Sequence, residues 1–240
     1  MSQTVDLLAV AAHPDDAELT CGGTLIKAAR DGHRTGILDL TRGEMGTRGS
    51  PETRDREATQ AAEIMGVTRR VNAGLPDAHL SNSTTARKAV VSHLRKFEPR
   101  VVILPFPVGR HPDHRVASEL VRDACFLAGL ANYPGEGKAH HTEKIIYTMA
   151  YREDPIKPTF VVDISREFET KMEAIKCYAS QFADAQSAGE LFPTGQPLLE
   201  LIRTQAAHYG SLIRVAYGEP FATHETVQIH NVVTMGVRSI

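Results

Sequence analysis

Apolar and polar positions follow two alternating rhythms along the first hundred residues. Val5–Ala11 is a nearly unbroken apolar run of strand length, Val101–Phe106 repeats it, and Arg34–Leu40 and the more polar Val67–Asn72 also read as strands. Between these runs, Leu19–Arg30, Glu52–Met65 and Thr84–Phe97 space their apolar residues at helical intervals. In the last of them Ala89, Val90, His93 and Leu94 share one face. Local stops and starts agree with this division. Asp31-Gly32 ends the first helix, where glycine can take the left-handed position. Ser50 and Pro51 have the chemistry of an N-cap and a first helical residue. Gly66 and then Glu98-Pro99 end the next two helices. A strand–helix–strand crossover is nearly always right-handed and joins parallel strands. The regular alternation therefore predicts an α/β fold, a Rossmann-like doubly wound, mostly parallel sheet with helices on both faces.

The second half is less regular. Val116–Ala124 has a helical pattern, and Asn132–His141 reads as a loop. Lys144–Tyr151 and Thr159–Ile164 read as strands. A helix capped by Ser165 is expected to run to about Tyr178. Asp184–Pro197 is a loop long enough to be a lid or a binding loop. A helix over Leu198–His208, a short strand over Arg214–Tyr217 and an apolar stretch over Val227–Met235, an edge strand or an intersubunit contact, complete the chain. With no composition break, residues 1–240 read as a single domain whose tail, about 223–240, has no assigned role.

Two strand ends carry the same chemistry. His13-Pro14-Asp15-Asp16 follows the first strand and His111-Pro112-Asp113-His114 follows the strand Val101–Phe106; a helix follows each. A lone His-Pro-Asp is ordinary turn chemistry. Ligands of open parallel sheets, however, bind at the carboxyl ends of strands. Two such turns could bring two histidines and a carboxylate to one metal ion, the donor set of a zinc site with a position left for water.

The paired signature, Ala12 to Glu18 near the N-terminus with His111 to Arg115 in mid-chain, resembles that of the LmbE-like (PIG-L) zinc-dependent N-deacetylases. Leu40–Gly49, Asn72–Asp77, Phe160–Ser165 and Tyr178–Phe182 are similar to the branch that deacetylates N-acetylglucosaminyl-malate in bacillithiol biosynthesis. The resemblance extends to about Phe221. It implies a hydrolase that removes acetate from an N-acetylglucosamine conjugate, with Zn²⁺ held by His13, Asp16 and His114 and Asp15 as general base. Fe²⁺, Co²⁺ or Mn²⁺ also suits such a set. The resemblance further implies His111 as a cationic group near the tetrahedral intermediate or as the group that orients Asp15. It implies Arg54 and Arg110 as substrate-binding residues; guanidinium forks match the two carboxylates of malate. Relatives form trimer-based hexamers, so a homo-oligomer is expected. Glu18 and Asp113 are candidates to accept the outer N–H of a ligating histidine, with Asp113 alternatively a helix N-cap. Arg42, Glu44 and Arg48 are candidates to wall the pocket. One departure stands out. Some relatives place an oxyanion-donating tyrosine at the start of the helix after the long loop, where this chain reads Gln196-Pro197-Leu198-Leu199.

Other readings remain. The same hydrolysis could act on a mycothiol-type precursor, a thiol S-conjugate amide or a chito-oligosaccharide. A non-catalytic sugar- or metal-binding protein on the same fold is a further alternative, although such a protein has no need of Asp15. A dinucleotide site lacks its glycine fingerprint; the Gly22-Gly23 pair reads instead as close helix–sheet packing. Composition narrows the partners. A net charge of −2 over 240 residues gives no footprint for nucleic acid. No apolar run approaches the ~20 residues of a membrane span, and the N-terminus enters a strand without the pattern of a signal peptide. Three cysteines without CxxC spacing fit free thiols in a reducing compartment. The expectation is a cytoplasmic enzyme whose partner is a small amino-sugar conjugate.

Overall fold

In the computed structural model, which describes residues 3–149, 156–182 and 197–237, the apolar runs become strands of one sheet. These are β1 (Leu7–Ala11), β2 (Thr35–Asp39), β3 (Arg69–Asn72), β4 (Val101–Pro105), β5 (Lys144–Thr148), β6 (Phe160–Asp163) and β7 (Gly218–Ala222), in the spatial order β3-β2-β1-β4-β5-β7-β6. The pairs from β3 through β5 are parallel. β7 enters antiparallel between β5 and β6, so the sheet is mixed, a doubly wound parallel portion with one reversed strand.

The helices are α1 (Asp16–Arg30), α2 (Pro51–Met65), α3 (Thr84–Phe97), α4 (Pro112–Ala128), α5 (Phe168–Lys176), α6 (Ala179–Phe182) and α7 (Leu198–Leu212). α3 and α4 pack together on one face of the sheet, and α1, α2 and α5 on the other. Successive strand residues point to opposite faces, and both faces are covered. Leu8 and Val10 join Val90, Leu94, Leu120 and Val121, while Ala9 and Ala11 join Cys21, Leu25, Ala58 and Met65. That two-sided burial is why the strands read as continuous apolar runs.

Punctuation behaves as the chemistry demands in most places. The Ser50 hydroxyl accepts from Thr53 N at the start of α2, and Gly66 ends it at φ 68°. Ser165 departs from expectation. Its Oγ donates to Asp163 Oδ1 at 2.6 Å in the turn after β6, and α5 begins only at Phe168, preceded by Glu167. The strand expected at Arg214–Tyr217 forms four residues later. Arg214 takes φ 65° in a turn, and the strand starts at Gly218, where a Cβ would sit 2.5 Å from Val161. The tail forms no edge strand among its described residues, only a 3₁₀ turn at Val232–Thr234. Positions 184–196 of the expected long loop lie outside the described residues, as does Tyr151. Cys21, Cys125 and Cys177 are free thiols. Among the described residues, no helix is long and apolar enough to cross a membrane.

The glycine pair in α1 does pack closely. A Cβ on Gly23 would meet three atoms of the Ile164 side chain at 2.8 Å. Ile164 is fully buried, so Gly23→Ala should cost about 1–3 kcal/mol by overpacking. The expected readout is a lower denaturant midpoint at unchanged slope; an unchanged midpoint would mean that Ile164 yields freely.

Candidate metal centre and its cavity

β1 is the strand at which the winding of the sheet reverses. From β1 the chain moves to β2 and β3 on one side; β4 and β5 continue on the other. The crevice between the carboxyl ends of β1 and β4 is the topological switch point, where ligands bind in such sheets. Both His-Pro-Asp turns open into it. Asp15 immediately precedes α1 with φ 110°, a conformation that few non-glycine residues adopt. Arg54 Nη2 fastens that turn by donating to Pro14 O at 2.5 Å. In the second turn His111 caps α4, its Nδ1 accepting from Asp113 N at 3.3 Å, with Pro112 at the first helical position.

The fold brings the predicted ligands into one cluster. Asp16 Oδ2 accepts from His13 N at 2.9 Å and lies 3.4 Å from His13 Nδ1 and 3.1 Å from His114 Nε2. Ring nitrogens of His13, His111 and His114 all lie within 4.8 Å of one another, and the His111 and His114 rings stack at 4.7 Å. Asp15 turns away from this group, and its Oδ2 accepts from Arg54 Nη2 at 2.9 Å.

The two adjacent carboxylates are driven apart in acidity. Burial pushes Asp15 up to about 7 against the pull of the Arg54 guanidinium, with the Asp16 charge adding to the rise. Burial also opposes the charge on Asp16, but His114 and His13 outweigh it and hold that carboxyl well below its ordinary range. Burial likewise opposes charging His13, yet Asp16 and Asp77 raise it to about 11. Two neighbouring carboxyls whose environments separate their acidities are a familiar acid–base arrangement. His111 moves the other way. Burial and the neighbouring His114 and His13 lower its affinity for a proton, which weighs against the cationic role that the resemblance implies. The side chain that holds Asp15 is Arg54, not His111.

A cavity of about 360 Å³ opens beside the cluster, within the range of small-molecule sites. His13, Asp15, Asp16, His111 and His114 line it, and so do Arg54 and Arg110. Arg54 is buried against Asp15 and the Pro14 carbonyl, whereas Arg110 is exposed. From the loop after β2, Met45 and Gly46 face the cavity. The charged residues proposed as its wall are engaged elsewhere: Arg42 with Asp55, Glu44 with Asp77 N, and Arg48 with Gln181 O.

Of the two carboxylates expected behind the ligating histidines, Asp113 lies against His13 and Glu18 does not. Glu18 is fully buried and accepts from Arg70 and from Tyr178 Oη, 2.9 Å away; Arg70 in turn forks onto Asp39. It braces α1 against β2, β3 and the link between α5 and α6, and does not touch a ligating histidine. Asp113 is no helix cap, since His111 fills that position; its Oδ2 accepts from Ala78 N at 2.8 Å and approaches His13 Nε2 to 3.4 Å. Sequence reasoning gave no role to Asp77, whose Oδ1 lies 3.0 Å from His13 Nε2. The one available signal was its place in the loop after β3, at the same edge of the sheet.

Comparison with known proteins gives a consistent answer. The profile of the GlcNAc-PI de-N-acetylase (PIG-L) family matches residues 8–125, which span both turns. The chain is 30% identical to a diacetylchitobiose deacetylase of Thermococcus kodakarensis, covering 89% of this chain and 80% of that one. It is 28% identical to a probable N-acetyl-α-D-glucosaminyl L-malate deacetylase of Bacillus anthracis, over 74% of this chain and 81% of the relative. A solved structure of a conserved Thermus thermophilus protein superimposes with TM-score 0.85 at 40% identity, covering 94% of this chain and 97% of the other.

Proposed function

Since the chain belongs to the PIG-L (LmbE-like) family of N-deacetylases, we propose that it hydrolyses the acetamide of an N-acetylglucosamine conjugate at this centre, with N-acetylglucosaminyl-malate as substrate. The chain is an N-deacetylase of GlcNAc-type substrates; the malate aglycone is our finer reading. One observation carries the site assignment. His13, Asp16 and His114 meet around a single carboxylate oxygen, while the neighbouring acid Asp15 stays off that cluster and faces the cavity.

Two imidazole nitrogens and a carboxylate oxygen fit a catalytic zinc site, and the three side chains converge closely enough to share one ion. A divalent cation bound there would polarise the acetamide carbonyl and lower the pKa of a water towards ~7. Asp15 takes the proton of the attacking water. Acetate leaves as the C–N bond breaks, and Asp15 returns the proton to the departing amine. Arg54 holds Asp15 in place throughout. His111, whose Nδ1 accepts from Asp113 N at the start of α4, presents Nε2–H as a hydrogen-bond donor for the developing oxyanion. That role meets the need left by the missing tyrosine near Leu198. Arg110, at the exposed side of the cavity, is our candidate for a substrate carboxylate. We read the chain as one cytoplasmic domain that assembles into a homo-oligomer, up to a hexamer.

The test is acetate release from a panel of amides by protein freed of metal with a chelator and then reloaded with Zn²⁺ or Fe²⁺. Activity should vanish on chelation and return on reloading, and N-acetylglucosaminyl-malate should exceed diacetylchitobiose and free N-acetylglucosamine in kcat/KM. Activity that survives complete metal removal overturns the metal reading. A preference for the chitobiose overturns only the aglycone.

A further inference from the structure

We infer that Asp77 is a positioning residue for His13: it accepts the Nε2 proton and so turns Nδ1 towards Asp16 and His114. The inference rests on the proposed role of His13 as a ligand. The ring is suspended between carboxylates on both sides. Nε2 faces Asp77 Oδ1 at 3.0 Å and Asp113 Oδ2 at 3.4 Å, while Nδ1 faces Asp16 Oδ2 at 3.4 Å. A neutral imidazole donates from one nitrogen and offers a lone pair at the other. With acceptors at Nε2, the proton that a neutral His13 keeps belongs there, and an ion held at the cluster would take the Nδ1 lone pair in place of the second proton.

The clamp is built from three separate segments. Asp77 Oδ2 accepts from Met45 N at 2.8 Å, and Asp77 N donates to Glu44 Oε1 at 2.8 Å, which ties it to the loop after β2. Ala78 N lies 2.8 Å from both Asp77 Oδ1 and Asp113 Oδ2 and donates to the pair. To reach them Ala78 takes φ 59°, a left-handed conformation that alanine disfavours. Asp113 comes from the second His-Pro-Asp motif, so the two motifs are joined through the ring of the first histidine. Asp77 and Asp113 are 6% and 2% exposed, and solvent does not compete for their oxygens. A carboxylate behind a ligating histidine fixes its tautomer and orientation, and its loss weakens metal binding ~10–100-fold.

The experiment measures zinc affinity by competition with a chromophoric chelator for the parent and for Asp77→Asn, Glu44→Ala and Asp16→Asn, with thermal unfolding of each metal-free protein as a control. Asp77→Asn should weaken zinc by ~10–100-fold. Glu44→Ala loosens the same loop without touching His13 and should weaken zinc less than Asp77→Asn does. In the zinc-loaded parent, the His13 Nε2–H should appear in the proton NMR spectrum as a slowly exchanging resonance that Asp77→Asn broadens or removes. Asp77→Asn with parental zinc affinity overturns the inference, as does Glu44→Ala weakening zinc equally. If Asp16→Asn binds zinc normally while Asp77→Asn abolishes binding, then Asp77 is itself a ligand with His13 and Asp113. A parent that binds no zinc sinks the metal reading instead, a separate outcome.

Discussion

Asp15→Asn should lower kcat by two to four orders of magnitude, the range general-base catalysis contributes, while bound metal stays at the parental stoichiometry. The expectation follows from how the two adjacent acids divide. Asp16 sits among the imidazoles, and Asp15 sits on Arg54 with its proton affinity raised by burial to about 7. The substitution should fold. Asparagine has the shape of aspartate, is among the residues enriched at positive φ, and keeps a carbonyl oxygen for Arg54. It cannot take a proton from water. Acetate release and metal analysis on the same sample check both halves of the expectation. Turnover within about tenfold of the parent would remove Asp15 from the proton path, because a general base is worth far more than that. Loss of metal along with turnover would show that the two carboxylates act as one site.

The parts of this centre that the sequence exposed are those in which one short segment carries both the backbone signal and the chemistry. An apolar strand, a His-Pro-Asp turn and a helix start follow one another twice, and parallel β1 and β4 are neighbours, so their turns had to meet. Asp77 is different. It lies in a loop whose path is set by Glu44 and Asp113, both remote in sequence, and no local pattern announces such a contact. For Arg54 the resemblance implies contact with substrate, yet α2 lies so that its guanidinium reaches across to the Asp15 turn. The helical pattern of α1 hides its break, because Cys21 leaves the helical region at φ −140° without a proline, and the Gly22-Gly23 pair that follows also serves close packing. The reversed strand β7 was likewise concealed. An alternation of β and α argues for parallel pairing, and a strand arriving after α7 carries no label for its direction.

The break in α1 leads to the largest stability effect expected in the molecule. Where the helix opens at Cys21, the amides of Gly23 and Thr24 donate to Glu219 at 2.8 and 2.7 Å, and the Thr24 hydroxyl adds a bond at 2.6 Å. Lys171 from α5 completes the site, its Nζ donating to Glu219 Oε1 at 2.7 Å and to Leu19 O at 2.9 Å. Both side chains are almost wholly buried, at 2% and 3% exposed. Removing one partner of a buried, hydrogen-bonded pair leaves the other charge uncompensated and costs about 3–5 kcal/mol, a large share of the ~5–15 kcal/mol that holds a domain folded. Lys171→Met and Glu219→Gln should therefore each lower the denaturant midpoint steeply, and the metal-free protein should show it in full. The double variant should cost less than the two singles together, because the charges disappear as a pair. It should not regain the parent's stability. Glutamine offers a single acceptor oxygen to two converging backbone amides, and one of them remains unsatisfied. Additive losses would mean that Lys171 and Glu219 act independently, each through its own backbone contacts. A small loss from either single change would mean that water reaches the break in α1 and already shares the task of holding the helix that begins at Asp16.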